Sequence, residues 1–213
     1  FNVMEGEVVA LRGRNGAGKT TTLRSITGIT PPVSGSITVN NEEIHAKRPF
    51  EIARNGVGYV PENKGLFSSL TVEENLDMTL SDDSTWTKER IYSTFPVLEQ
   101  KANATADQMS GGEQQMLTIA RALGSNPDLL LLDEPSIGLA PVIIDDIERV
   151  LKKISDEDVT ILLTEQNTNL ALSVSDYVYI LQKGEIVWDG STERLLEHED
   201  LLEQYVAVGK ATE

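Results

Sequence analysis

The stretch Gly13-Arg14-Asn15-Gly16-Ala17-Gly18-Lys19-Thr20 fits the pattern GxxxxGK[ST] without a gap and follows the apolar run Val8-Val9-Ala10-Leu11. A buried strand that runs into such a loop and then into a helix constrains the fold more than any other feature of the chain. Its glycines let successive backbone N–H groups turn toward one anion, and the following helix N-terminus favours negative charge. Lys19 adds a point charge suited to β- and γ-phosphates, and the Thr20 hydroxyl is a hard oxygen suited to Mg²⁺. Asn15, Gly16, Ala17, Gly18, Lys19, Thr20 and Thr21 are therefore the expected phosphate-binding residues. A Gly-rich turn that only caps a helix has no need of the strand before it and the lysine within it.

A chain of 213 residues that is 39% hydrophobic can bury a sizeable core, and it suits one α/β domain with a small inserted subdomain. There are no cysteines, which excludes disulfides, thiolate metal sites and a cysteine nucleophile. His45 and His198 each sit among charged residues and read as surface side chains. The longest apolar run, Leu129 to Leu132, falls far short of the roughly 20 residues that span a bilayer. A formal charge of −16 would repel a phosphate backbone, so no nucleic-acid partner is expected. The acids are scattered (Asp82-Asp83, Asp145-Asp146, Asp156-Glu157-Asp158), as on a solvating surface, for which adaptation to high salt is one explanation.

Along the chain, a helix is expected from about Lys19 to Gly28, a strand at Ser36–Val39 and another at Val57–Val60. From Thr71 to about Ala106 the pattern turns helical and polar, and Thr71 with Glu74 reads as a capping box. Asp128 to Asp133 and Val159 to Thr164 are continuous apolar runs, the mark of central parallel strands. Helices are expected at Glu113–Leu123 and at Val142–Ile154, the latter with Val142, Ile143, Ile147, Val150, Leu151 and Ile154 on one face. Tyr177–Leu181 and Glu185–Trp188 form a hairpin signal in which Trp188 packs, and Thr192 to Val206 reads as short amphipathic helices. Alternating strands and helices imply a mainly parallel sheet, with ligands outside its C-terminal strand ends.

Asp133-Glu134 falls at such an end, directly after four leucines. Adjacent acids at a strand end point in different directions, so Asp133 can support a metal while Glu134 holds a water against a γ-phosphate. Met109-Ser110-Gly111-Gly112-Glu113-Gln114-Gln115 precedes a helix. By chemistry it is an anion nest, although a plain N-cap with Ser110 and Glu113 as a capping box has the same local pattern.

That last string closely resembles the LSGGQ signature of ATP-binding cassette (ABC) ATPases, with Met for Leu and Glu for the final Gln. With the phosphate loop and the acidic pair, the resemblance covers essentially the whole chain and implies the P-loop NTPase fold. It implies a single ATPase domain over 1–213, with a helical signature subdomain at about 70–125 and a C-terminal β-hairpin followed by short helices. It also implies a head-to-tail pair of ATPase subunits, identical or not, with each ATP between one phosphate loop and the other signature. On this resemblance Asp133 supports Mg²⁺, Glu134 is the catalytic base, and Ser110, Gly111, Gly112 and Glu113 complete the partner subunit's site. Ser136 to Pro141 then crosses the dimer interface.

Within the family, Tyr59-Val60-Pro61-Glu62-Asn63, Leu70 to Leu76, Ser136 to Pro141 and Thr164-Glu165-Gln166-Asn167 resemble the LivF-type ATPase subunits of branched-chain amino acid importers. Glu62 stands where most cassettes carry the Q-loop glutamine, and it is expected to bind Mg²⁺ directly or through water. Gln166 stands at the switch-histidine position, where it can donate to the γ-phosphate but cannot become an imidazolium. Both match the LivF type, so hydrolysis is expected to survive. Transmembrane permeases are the implied partners, with a substrate-binding protein acting indirectly, at the cytoplasmic face of the membrane. Residues from Glu62 to about Leu80 are the expected docking segment.

The aromatic residue that stacks on adenine in such ATPases lies farther upstream than Phe1. The chain is therefore expected to be incomplete at its N-terminus and to bind ATP more weakly than a longer form. Urea or short-chain amides are alternative cargoes. Non-transport cassette ATPases are a second class, but only roughly 90 residues separate Lys19 from Ser110, with no sustained heptads. A module that holds ATP with little hydrolysis is a third, motivated by Gln166.

Overall fold

The computed structural model describes residues 1–80, 84–157 and 159–198. In chain order the elements are β1 (Val8–Arg12), α1 (Lys19–Ile26), β2 (Thr38–Val39), β3 (Glu42–Glu43), α2 (Pro49–Arg54), β4 (Val57–Val60), α3 (Val72–Asp77), α4 (Lys88–Thr94), α5 (Pro96–Gln100), α6 (Gly111–Gly124), β5 (Leu129–Asp133), α7 (Pro141–Ser155), β6 (Thr160–Glu165), α8 (Thr168–Val174), β7 (Tyr177–Gln182), β8 (Glu185–Ser191) and α9 (Thr192–Glu197). A six-stranded sheet runs β4-β5-β6-β1-β7-β8. All its neighbours pair in parallel except β8, which returns antiparallel to β7 as the expected hairpin.

Because side chains alternate along a strand, the continuous apolar runs supply two cores. Val8, Ala10, Leu130, Leu132, Ile161 and Leu163 face the packed side of α6, α7 and α8. Val9, Leu11, Leu131 and Leu162 face Leu23 and Ile26 of α1 and Ile52 of α2. The parallel strands place the loops after Arg12, Val60, Asp133 and Glu165 at one edge of the sheet.

The helical segment is a chain of short helices rather than one rod. Its entry is the expected capping box: the Glu74 N–H donates to Thr71 Oγ1 (3.1 Å) and the Thr71 N–H to Glu74 Oε2 (2.8 Å). Thr71→Ala should cost about 1 kcal/mol, read as a melting temperature a few degrees lower.

Some expectations need correction. The strand expected at Ser36–Val39 is only Thr38–Val39, paired with Glu42–Glu43 in a separate two-stranded ribbon. Val142 leaves the apolar face of α7 and is 64% exposed: about 100° around the helix from Ile143, it lines up with exposed Asp145 and Arg149, while Ile143 in the same turn packs on the core. Leu195 is buried but Leu196 is exposed, and residues 199–206 of the expected tail lie outside the described residues, as do Asp82, Asp83 and Asp158. Trp188 is half-buried against the core.

Candidate functional site

The phosphate loop begins where β1 ends. Gly16 and Gly18 both take positive φ (77° and 114°), a region open to glycine at no steric cost. The loop closes on itself through the Ala17 N–H to the Arg14 carbonyl (3.0 Å), and the Gly184 N–H in the β7–β8 turn holds the Ala17 carbonyl (2.9 Å). Gly18 is the N-cap of α1 and offers no side chain, so the first-turn N–H groups of the helix remain open to an anion. Asn15, Gly16 and Thr21 are exposed, whereas Ala17 and Lys19 are buried.

Two polar clusters converge at the neighbouring strand ends. In the first, Asp133 Oδ1 accepts from Thr20 Oγ1 (3.0 Å) and Thr164 Oγ1 (2.8 Å), and Oδ2 accepts from the Tyr59 hydroxyl (3.2 Å). Tyr59, Asp133 and Thr164 share a sheet face by strand parity, which is why α1 can bring Thr20 onto it. Burial, reinforced by the Asp133 charge, pushes the Tyr59 phenol up to about 12, so it stays a donor.

In the second cluster the chain leaves β5 with Glu134 at φ 49°, a left-handed conformation uncommon outside glycine. Its N–H is held by the Thr164 carbonyl (3.0 Å) and Oγ1 (3.1 Å). This turn swings the Glu134 side chain away from Asp133. Glu134 Oε1 pairs with Lys19 Nζ at 3.0 Å, and Oε2 accepts from Gln166 Nε2 at 2.6 Å. Lys19 also donates to the Gly13 carbonyl (2.9 Å).

Residues 110–113 lie elsewhere. Ser110 caps α6 in a full capping box, with Glu113 N–H to Ser110 Oγ (3.3 Å) and Ser110 N–H to Glu113 Oε2 (2.8 Å), and Lys101 pairs with Glu113 (2.8 Å). Gly112 is pressed against Ile143 of α7, which leaves no room for a Cβ. Among the described residues, no hydrogen bond or ion pair links this segment to the phosphate loop, Asp133 or Glu134. Glu62 is exposed beyond β4 and makes no hydrogen bond or ion pair to a described residue. Its neighbour Lys64 instead ties the loop to α6 by donating to the Gly111 carbonyl (2.8 Å).

Sequence reasoning gave no role to Tyr59, Thr164, Arg12 or Glu165. The available signal was register: each occupies the last or next-to-last position of its strand, at the edge where Asp133 emerges. Between α1, α2 and α6 the surface also opens into a groove of about 290 Å³ lined by Ile29, Pro49, Ile52, Tyr59, Thr79 and Arg121. Exposed Phe50, Phe67 and Met78 are further large apolar side chains on the surface.

A sequence model of the ABC transporter family matches residues 1–137. The chain is 44% identical over 208 residues to the high-affinity branched-chain amino acid transport ATP-binding protein BraG of Pseudomonas aeruginosa, covering 96% of this chain and 89% of that protein. It is 38% identical over 203 residues to the probable branched-chain amino acid transport ATP-binding protein LivF of Archaeoglobus fulgidus, covering 93% and 86%. Among solved structures it is similar to the dimeric ATP-binding cassette MJ0796 in a post-hydrolysis state bound to ADP and Pi, with TM-score 0.79, 27% identity, and 90% and 88% coverage. The ADP conformation of the cassette MJ1267 gives TM-score 0.79 at 26% identity over 98% and 91% of the two chains. The phosphate loop, the strand-end acids and the sheet that aligns them thus meet similarity in sequence and in shape over most of the chain, and the chain belongs to the ABC transporter family of ATP-binding proteins.

Proposed function

We propose that this chain is the ATP-hydrolysing subunit of an importer for branched-chain amino acids, peripheral at the cytoplasmic face of the membrane. Among the described residues no helix is long and apolar enough to cross a bilayer. The observation that carries the reading is the Lys19–Glu134–Gln166 chain beside the Thr20–Asp133 pair, at the edge where the phosphate loop opens. The cargo rests on the likeness to BraG and LivF. Residues 1–213 form one ATPase domain whose helical part, about 70–125, carries the signature.

The backbone from Asn15 to Gly18, with Lys19, Thr20 and Thr21, holds the ATP phosphates. Thr20 Oγ1 and Asp133 Oδ1, 3.0 Å apart, fit Mg²⁺, which takes few oxygens from a protein and the rest from phosphate and water. When bound, the ion neutralises charge developing on the transferred phosphoryl group. Glu62, exposed just beyond β4, would join this set directly or through water. Glu134 takes the proton of the attacking water, and Gln166 donates to the γ-phosphate and to Glu134, keeping the carboxylate oriented.

Ser110, Gly111, Gly112 and Glu113 serve the ATP held by a second ABC ATPase subunit. Ser110→Arg should therefore lower phosphate release by about 10²-fold, the scale of losing a transition-state donor, while nucleotide affinity of the isolated chain stays unchanged. A parallel loss of that affinity would place Ser110 in its own chain's site. Permease segments dock on the stretch from Glu62 to about Leu80, whose Thr79 also lines the groove shared with Ile29, Ile52 and Tyr59. The substrate-binding protein acts through those permeases.

The test of the cargo is uptake of labelled leucine, isoleucine and valine by cells lacking this gene. Uptake of all three should fall and return with the wild-type gene. Intact uptake of the three together with loss of urea or amide uptake would overturn the assignment.

A further inference from the structure

Arg12 and Glu165 are buried ionisable side chains that the hydrolysis just described does not use. They are register partners across the β1–β6 pair, and they continue one face of the sheet beyond Val8, Ala10, Ile161 and Leu163. That face is opposite the one carrying Asp133 and Thr164. Arg12 is 3% exposed and Glu165 1%. Burial lowers the pKa of the guanidinium and raises that of the carboxyl, and the Glu165 charge counters the first.

Their hydrogen bonds point at loops rather than at each other. Arg12 Nη2 donates to the Gln166 carbonyl (3.1 Å) and to Thr168 Oγ1 (2.8 Å), while its Nε and Nη1 have no partner among the described residues. Glu165 Oε1 accepts the Ser136 N–H (2.9 Å) and Oε2 the Asn167 N–H (3.0 Å). Apolar side chains of similar volume would fill this place at lower desolvation cost. What they could not do is hold the backbone on both sides of the reacting groups. Ser136 lies just beyond Glu134, and Gln166 is the residue whose amide reaches the Glu134 carboxylate.

We propose that Arg12 and Glu165 are positioning residues that clamp the 134–136 loop and the 166–168 turn into α8, so that Gln166 and Glu134 are aligned on one phosphate. This rests on the reading of Gln166 as a phosphate contact. Arg12 acts through the Gln166 main chain, and Glu165 links that loop to the segment that follows Glu134.

The test is a mutant cycle on the assembled ATPase, comparing wild type, Arg12→Met, Arg12→Lys, Gln166→Ala and Arg12→Met/Gln166→Ala. Losing a hydrogen bond from a charged donor should lower kcat of Arg12→Met by about 10- to 100-fold, with KM for ATP within about twofold. Arg12→Lys, which keeps the charge and a donor, should recover most of kcat. In the Gln166→Ala background Arg12→Met should lower kcat by no more than about twofold further, since linked residues are not additive.

Equal losses in both backgrounds, or no recovery with lysine, would make Arg12 a merely structural residue and overturn the proposal. Wild-type kcat in Gln166→Ala would instead remove the phosphate contact on which it rests. Should Arg12→Met not fold, Thr168→Val at a half-buried position removes one guanidinium partner. A kcat about threefold lower that vanishes in the Gln166→Ala background supports the clamp, and an unchanged kcat refutes it.

Discussion

Glu134→Gln should release phosphate at least about 10²-fold more slowly than wild type, because a positioned general base contributes roughly that factor or more. The glutamine keeps the shape of the side chain and its contact with Gln166, now amide to amide, but cannot take a proton at neutral pH. Nucleotide binding should not weaken. In the wild-type chain Lys19 Nζ is engaged by Glu134 Oε1 at 3.0 Å, a charge pair of which both members are buried. Phosphate must compete with that carboxylate for the ammonium, and a neutral glutamine competes less well. The neutral variant should therefore bind ATP as tightly as wild type or more so, by calorimetry, while its phosphate release collapses. A wild-type release rate would remove Glu134 from the chemistry. Weaker binding with the same rate would make it a structural partner of Lys19.

Gly13→Ala should be among the most damaging single-methyl substitutions in the chain. Gly13 does not adopt positive φ, so its own backbone conformation would accept alanine. The obstacle is tertiary: a Cβ there would overlap the Leu181 carbonyl oxygen and lie 3.0 Å from the Ala17 Cβ. A carbonyl of a paired strand cannot rotate away as a flexible side chain can. Overpacking of this kind costs about 1–3 kcal/mol. For a chain of this size that corresponds to a melting temperature lower by roughly 3–10 °C. Because the displaced atoms begin the phosphate loop, ATP affinity should fall at least about tenfold as well. Gly111→Ala is the control for stability, since its Cβ would meet nothing closer than Lys64 Nζ at 3.5 Å, and its melting temperature should hold. Equal melting temperatures for wild type and Gly13→Ala would show that β7 yields more easily than its pairing suggests.

Much of the fold was legible because its signals are local. Four consecutive leucines ending in Asp133 have the pattern of a strand buried on both faces, and the capping residues Thr71 and Ser110 mark their helix starts within four residues of sequence. The expected strand at Ser36–Val39 shrank to two residues because its burial and pairing depend on a hairpin partner, Glu42–Glu43, that has no apolar pattern. Val142 was placed on the wrong side because, next to Ile143, it read as part of the apolar stripe, although its helical phase is that of exposed Asp145 and Arg149.

The candidate site divides in the same way. The phosphate loop, the Asp133-Glu134 pair and the 110–113 cap were legible as short strings, whereas Gln166 stood out only through the family resemblance. What the sequence alone determined was therefore where the candidate site residues stand along the chain and which residue types they are. Only the tertiary structure decided that Lys19 and Gln166 grip opposite oxygens of Glu134, and that Tyr59 and Thr164 hold Asp133. It likewise placed a buried Arg12–Glu165 pair behind them. These contacts join separate strands of a parallel sheet, and their register follows from how two cores pack against its faces, which no single stretch of residues encodes.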